Sequence, residues 1–108
     1  VKSAISFDDW EKVDLRAAKI LTAEALPNSQ KLVKLKIDLG EEKIIVAGIG
    51  KDYRPEDLIG RTIVVVANLE AAKIMGIDSQ GMLLAARTTS GLALVTFDGN
   101  PEPGAKIT

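Results

Sequence analysis

Val33-Lys34-Leu35-Lys36-Ile37-Asp38-Leu39-Gly40-Glu41-Glu42-Lys43-Ile44-Ile45-Val46-Ala47 decides the fold of this chain. Val33, Leu35 and Ile37 alternate with Lys34 and Lys36, the period-2 pattern of a strand with one face in the core and one in solvent. Leu39-Gly40-Glu41-Glu42 reads as a hairpin turn. The run Ile44 to Ala47 has no polar alternation, so a second strand follows that is covered on both faces.

The same reading extends outward in both directions. Upstream, Val13, Leu15 and Ala17 alternate with Asp14, Arg16 and Ala18, so a strand starts near Val13. Its apolar phase shifts around Lys19-Ile20-Leu21, as a bulge or sharp bend would make it do. Pro27-Asn28-Ser29 is a turn. Ser6 is a candidate N-cap for a helical turn carrying Asp8 and Asp9 at its dipole-favoured start. Downstream, Arg54-Pro55-Glu56-Asp57-Leu58 suits one helical turn, and the β-branched Thr62 to Ala67 is a central strand. A strand over Met82 to Arg87 and another over Leu92 to Val95 close the series, joined by the turn Thr89-Ser90-Gly91. About five core strands at roughly ten-residue spacing, with almost no helix, predict an all-β fold. The long bent first strand favours a five-stranded OB-fold barrel with short helical turns and terminal extensions.

With 108 residues the chain makes one domain, residues 1–108. It opens on Val1 and not on Met, and excision from a longer protein is the expected origin. No apolar run approaches the ~18–20 residues of a membrane helix. Histidine and cysteine are both absent. That removes the usual neutral-pH acid–base group, the thiol nucleophile and most transition-metal sites, and weakens every enzymatic reading. The lack of cysteine fits a reducing compartment.

The acidic pairs Asp8/Asp9, Glu41/Glu42 and Glu56/Asp57 lie in predicted turns or caps. Hydrolytic carboxylates converge from separate elements instead. Gly48-Ile49-Gly50-Lys51 follows a strand, but Tyr53 stands where a dinucleotide fingerprint needs its third glycine and Ile45 where a P-loop needs its first. A strand-ending turn is the better account of these glycines.

The net charge is −1, but its distribution is uneven. Between Lys12 and Lys36, Lys12, Arg16, Lys19, Lys31, Lys34 and Lys36 face only Asp14 and Glu24. Between Ile37 and Gly60, Lys43, Lys51 and Arg54 face Asp38, Glu41, Glu42, Asp52, Glu56 and Asp57. If the first two strands pair, Arg16 and Lys19 join Lys31, Lys34 and Lys36 in one basic patch, a candidate nucleic-acid surface. The aromatic residues are Phe7, Trp10, Tyr53 and Phe97, none on a predicted strand face of the barrel's groove. Single-strand binders stack bases on such rings, so this chain is expected to read backbone charge and shape, as structured RNA is read. The glycine-bracketed loop from Lys73 to Met82 adds a lysine, the Ser79 hydroxyl and a polarizable methionine at the mouth of a strand. These groups suit phosphate, ribose and base. From the residues alone Met82 stays divided between contact and core.

The motifs Lys12-Val13-Asp14-Leu15-Arg16, Pro27-Asn28-Ser29-Gln30-Lys31-Leu32, Ile45-Val46-Ala47-Gly48-Ile49, Ala67-Asn68-Leu69 and Ser79-Gln80-Gly81-Met82-Leu83-Leu84-Ala85-Ala86 follow one another in order. Together they closely resemble the tRNA-binding domain at the C-terminus of many methionyl-tRNA synthetases. That module also occurs as a free-standing dimeric tRNA-binding protein and in cytokine-like synthetase cofactors. A dimeric secretion-chaperone type is a weaker relative. The resemblance implies an OB barrel, homodimerisation, and binding to the outer corner of folded tRNA. It implies no chemistry and no cofactor in this domain. The catalytic body, an ATP-using methionine–tRNA ligase, would lie elsewhere on a longer cytoplasmic chain. Carried over, the binding residues fall on Asn28, Lys31, Lys73, Ser79, Gly81 and Met82. The chain departs from the pattern at Leu26, where the family often has a histidine or basic residue, and at Ser29-Gln30, where it often has Ala-Asp. It departs again at Ile74 and Met75, where an arginine is common nearby. These departures bear on the contacts and not on the fold.

Overall fold

The computed structural model describes residues 1–108. The chain runs α1 (Phe7–Trp10), β1 (Leu15–Ala25), β2 (Val33–Asp38), β3 (Glu42–Ala47), α2 (Pro55–Leu58), β4 (Thr62–Val66), β5 (Ala72–Ile74), β6 (Ile77–Ser79), β7 (Met82–Leu83), β8 (Ala85–Thr88) and β9 (Gly91–Leu94). The architecture is the expected all-β one. A five-stranded antiparallel sheet in the order β3-β2-β1-β4-β7 curls into an OB-like barrel, and two separate hairpins, β5-β6 and β8-β9, attach to it.

Local sequence accounts for most elements. The Ser6 hydroxyl accepts from the Asp9 amide at 3.1 Å and caps α1. Pro55 occupies the first turn of α2, where its missing N–H costs nothing. β1 starts at Leu15 rather than Val13, because the Val13 amide is drawn to the Trp10 carbonyl and that of Asp14 to the side chain of Asn68. The predicted bend is a register shift between Ile20 and Thr22. It lets β1 pair with β4 through its first half and with β2 through its second.

Alternation sets the core. Val33, Leu35 and Ile37 are fully buried, with Ile20, Ile45, Ile63 and Val65 from neighbouring strands, and Leu58 of α2 plugs one end. Each such side chain contributes about 1.5–3 kcal/mol relative to exposure. β3 is covered on both faces at Ile45, Val46 and Ala47, while Ile44 is only half-buried. The C-terminal segment covers Ala17 from outside, with Gly104 donating to its carbonyl at 2.8 Å and the Ala105 carbonyl accepting from its amide at 2.9 Å.

The expected strand over Met82 to Arg87 is in fact two. Met82 and Leu83 pair with β4, and Ala85 to Thr88 pair with β9. Leu84 is the corner, donating to the Val64 carbonyl and accepting from the Val95 amide. An unbroken apolar run conceals this break, because partners on both sides of the corner need apolar residues.

Candidate nucleic-acid interface

The loop Ser79-Gln80-Gly81 closes the barrel where β3 and β7 do not pair by a regular ladder. The Ser79 hydroxyl accepts from the Val46 amide at 3.0 Å and donates to the Gly81 carbonyl at 3.1 Å. Gln80 imitates a strand residue: its amide donates to the Ile44 carbonyl at 2.8 Å, and its Oε1 accepts from the Ile44 amide at 3.0 Å. Gly81 is buried, and a Cβ there would lie 2.9 Å from the Val66 carbonyl oxygen, so no side chain fits.

Two of the expected contact residues are thus built into the barrel seam. Ser79 is 2% exposed and its hydroxyl is engaged by backbone, while Gly81 offers no surface. Both residue types suit this loop because the barrel seam needs a short hydroxyl and a missing Cβ. Met82 is resolved the other way: it lies between buried Gly81 and Leu83 yet is exposed, so it belongs to the surface and not to the core.

The β1–β2 turn is built to hold its shape. Asn28 takes the left-handed conformation with φ 66°, which asparagine tolerates better than most residues. The Ser29 hydroxyl accepts from the amides of Lys31 and Leu32. The Lys31 carbonyl accepts from the Gly50 amide at 2.7 Å. A side chain at Gly50 would strike that carbonyl at 2.8 Å, and Gly48 lies against the Lys31 side chain. The glycines after β3 thus make room for Lys31, which is a turn with a packing reason and not a phosphate loop. Asn28 and Lys31 are both exposed, and Lys31 forms no ion pair.

Lys34 and Lys36 emerge side by side on the outer face of β2, as their alternation predicts. Lys34 is 3.6 Å from Glu24 and Lys36 is 3.1 Å from Glu42. Exposed pairs of this kind are worth about 0–1 kcal/mol, so a phosphate competes with them readily. Lys73, on β5, lies 3.5 Å from Asp78, its partner on β6, with both side chains about two-thirds exposed.

Arg16 lies away from the β2 lysines, outside the β1–β2 ladder. It pairs with Val65 of β4, beyond the end of the β1–β2 ladder. Its guanidinium is held by Asp14 at 2.7 Å and donates to the Gly104 carbonyl at 3.2 Å. It lines a polar cleft with Leu39, Gly40, Glu41 and Lys43 at another end of the barrel. Charge counted along a strand cannot distinguish its two ends.

The hairpin and the turn meet at one edge. Ser79 is bonded to Val46, the register partner of Lys34, and Gly48 beside Lys31 lies two residues further along, about 7 Å at strand spacing. Lys31, Lys34 and the β5–β6 hairpin therefore flank the same end of β3.

Sequence reasoning missed two residues. Gln80 is the second half of the seam. Asn68 clamps the N-terminal segment, accepting from Asp14 at 2.9 Å and donating to the Lys12 carbonyl at 2.6 Å. The only signal for either was its place inside a quoted motif. The rings are engaged or distant: Tyr53 accepts from the Leu94 amide through its hydroxyl and lies under Arg61, and Phe97 is half-buried. The three acidic pairs are solvated and serve surface pairs with Lys12, Lys36, Lys43 and Arg54. The hydrogen bond to Asp57, with the charges of Asp57 and Glu56, raises the pKa of Arg54 and keeps it charged. No helix is long and apolar enough to cross a membrane.

Residues 15–106 match a family described as a putative tRNA binding domain. Methionine–tRNA ligase of Thermotoga maritima is 62% identical over 107 residues, covering 98% of this chain and 17% of that protein. Its counterpart in Caldanaerobacter subterraneus is 53% identical over 104 residues, or 95% of this chain and 16% of that protein. The chain spans about a sixth of the length of these curated relatives. A MetRS related protein from Pyrococcus horikoshii superposes with a TM-score of 0.91 at 33% identity, covering 99% of this chain and 100% of that one. The chaperone CsaA from Bacillus anthracis superposes with a TM-score of 0.88 at 31% identity, covering 98% and 100%.

Proposed function

The chain belongs to the tRNA-binding domain family, and from that premise we propose that it is a non-catalytic module that binds folded tRNA for a methionyl-tRNA synthetase. The observation that carries the reading is the family match over residues 15–106, in a chain where exposed Lys31 and Lys73 and half-buried Lys34 flank one end of β3. The contacts would be Lys31, Lys34, Lys36 and Lys73 to phosphates, Asn28 to backbone, and Met82 to sugar or base. Binding of this kind follows shape and charge and is largely indifferent to base sequence. Its benefit is a higher local concentration of tRNA at a cytoplasmic catalytic body joined to it.

Homodimerisation is part of the same reading. Phe7, Trp10 and Val13 remain exposed and line a groove of about 210 Å³ with Ile107, an apolar surface suited to a second copy. Such a dimer would present two tRNA surfaces.

The test is a titration of folded tRNA from low to moderate salt. Affinity should fall steadily with salt, because each neutralised phosphate releases counterions. Absent binding, or binding flat with salt, refutes the proposal. A second reading, a free-standing dimer that binds polypeptide, is favoured by the likeness to the CsaA chaperone. It predicts capture of unfolded protein and indifference to tRNA.

A further inference from the structure

In the β5–β6 hairpin Lys73 faces Asp78 and Ile74 faces Ile77, which leaves Met75-Gly76 as a two-residue turn. Both turn residues have positive φ, 49° and 80°. This is the type I′ geometry, which favours asparagine or glycine at its first position. Methionine there strains the backbone. Packing does not compensate, since Met75 is 52% exposed and the space beside Gly76 is open. An apolar side chain held in a costly conformation, exposed at the tip of a hairpin, breaks both the turn rule and the surface rule at one position. Such breaches concentrate where a ligand is met. The hairpin's base is fixed to β3 through Ser79 and Gln80, so its tip is presented rigidly, with Lys73 two residues away.

Resting on the tRNA-binding reading above, we propose that Met75 is a non-ionic tRNA contact. Its thioether packs on an unstacked nucleobase while Lys73 leaves Asp78 for the neighbouring phosphate. Folded RNA displays such bases at its loops and corners. A flexible, polarizable thioether covers any of the four without reading its edge. It takes the part that aromatic rings play in other RNA binders, because Tyr53 is committed to holding β9, Phe97 is half-buried, and Phe7 and Trp10 line the groove with Ile107 instead.

The experiment compares the parent chain with Met75→Asn, Met75→Leu and Lys31→Ala, using one folded tRNA transcript over a salt series and a thermal melt of each protein. Met75→Asn relaxes the turn, so its melting temperature should equal or exceed the parent's while its affinity falls by about two- to tenfold. The slope of log affinity against log salt should stay at the parent value, because no phosphate contact is lost. Met75→Leu should hold affinity within about twofold. Lys31→Ala supplies the ionic reference, with a shallower slope. If Met75→Asn binds as the parent does, melts lower, or shows a shallower slope, the Met75 assignment is wrong and the tRNA reading stands. If the parent does not bind the transcript, both are wrong.

Discussion

Replacing Ser79 by alanine separates a structural serine from an RNA-contacting one. The hydroxyl accepts from Val46 at 3.0 Å and donates to Gly81 at 3.1 Å, in a residue 2% exposed. Val46 itself is 1% exposed, so the substitution leaves its amide buried without a partner. An unsatisfied buried donor costs about 1–3 kcal/mol. The slightly smaller alanine adds little cavity, so the expected loss is about 2 kcal/mol. For a domain of this size that lowers the melting temperature by roughly 8 °C. Far-UV circular dichroism melts measure the loss, and tRNA affinity is compared well below both transitions. At that temperature affinity should change by less than about threefold, which corresponds to about 0.6 kcal/mol. If Ser79→Ala melts with the parent while its tRNA affinity collapses, the hydroxyl contacts RNA and the assignment of Ser79 to the barrel seam is refuted.

Gly81→Ala forces a Cβ to within 2.9 Å of the Val66 carbonyl and should cost about 1–3 kcal/mol in chemical denaturation; a variant as stable as the parent would show that the seam yields freely. Lys31→Ala should weaken all tRNAs by a similar factor and lower the salt slope by a little under one unit, and selective loss for one tRNA would contradict shape recognition. Arg16→Ala should leave tRNA affinity unchanged in the same titration, while its lost contacts to Asp14 and Gly104 cost about 0.5–1.5 kcal/mol in stability. Trp10→Glu places a charge in the exposed apolar groove; if the proposed dimer forms there, sedimentation should shift from dimer to monomer, and a parent chain that sediments as a monomer or a variant that stays dimeric refutes that interface.

The sequence by itself determined the barrel. The odd-numbered apolar residues of Val33 to Ile37 face a core, and the phase shift at Ile20-Leu21 calls for a bulge or bend, because strand side chains alternate with a fixed period of two. The hairpin at Gly40, the cap at Ser6 and the turn at Asn28 were legible for the same reason: each depends on bonds within a few residues.

The tertiary structure alone decided which polar residues are surface and which are seam. Ser79 and Lys73 stand six positions apart on one loop and look alike as polar groups, yet one is spent on the Val46 amide, 33 residues away, and the Gly81 carbonyl, and the other is exposed. Arg16 and Lys34 share a pattern of alternation, yet they leave the barrel at different ends. Met82 is exposed because its neighbours, not itself, fill the core. Local periodicity fixes which side of a strand a residue takes, whereas its partners come from strands that meet only when the sheet curls and closes.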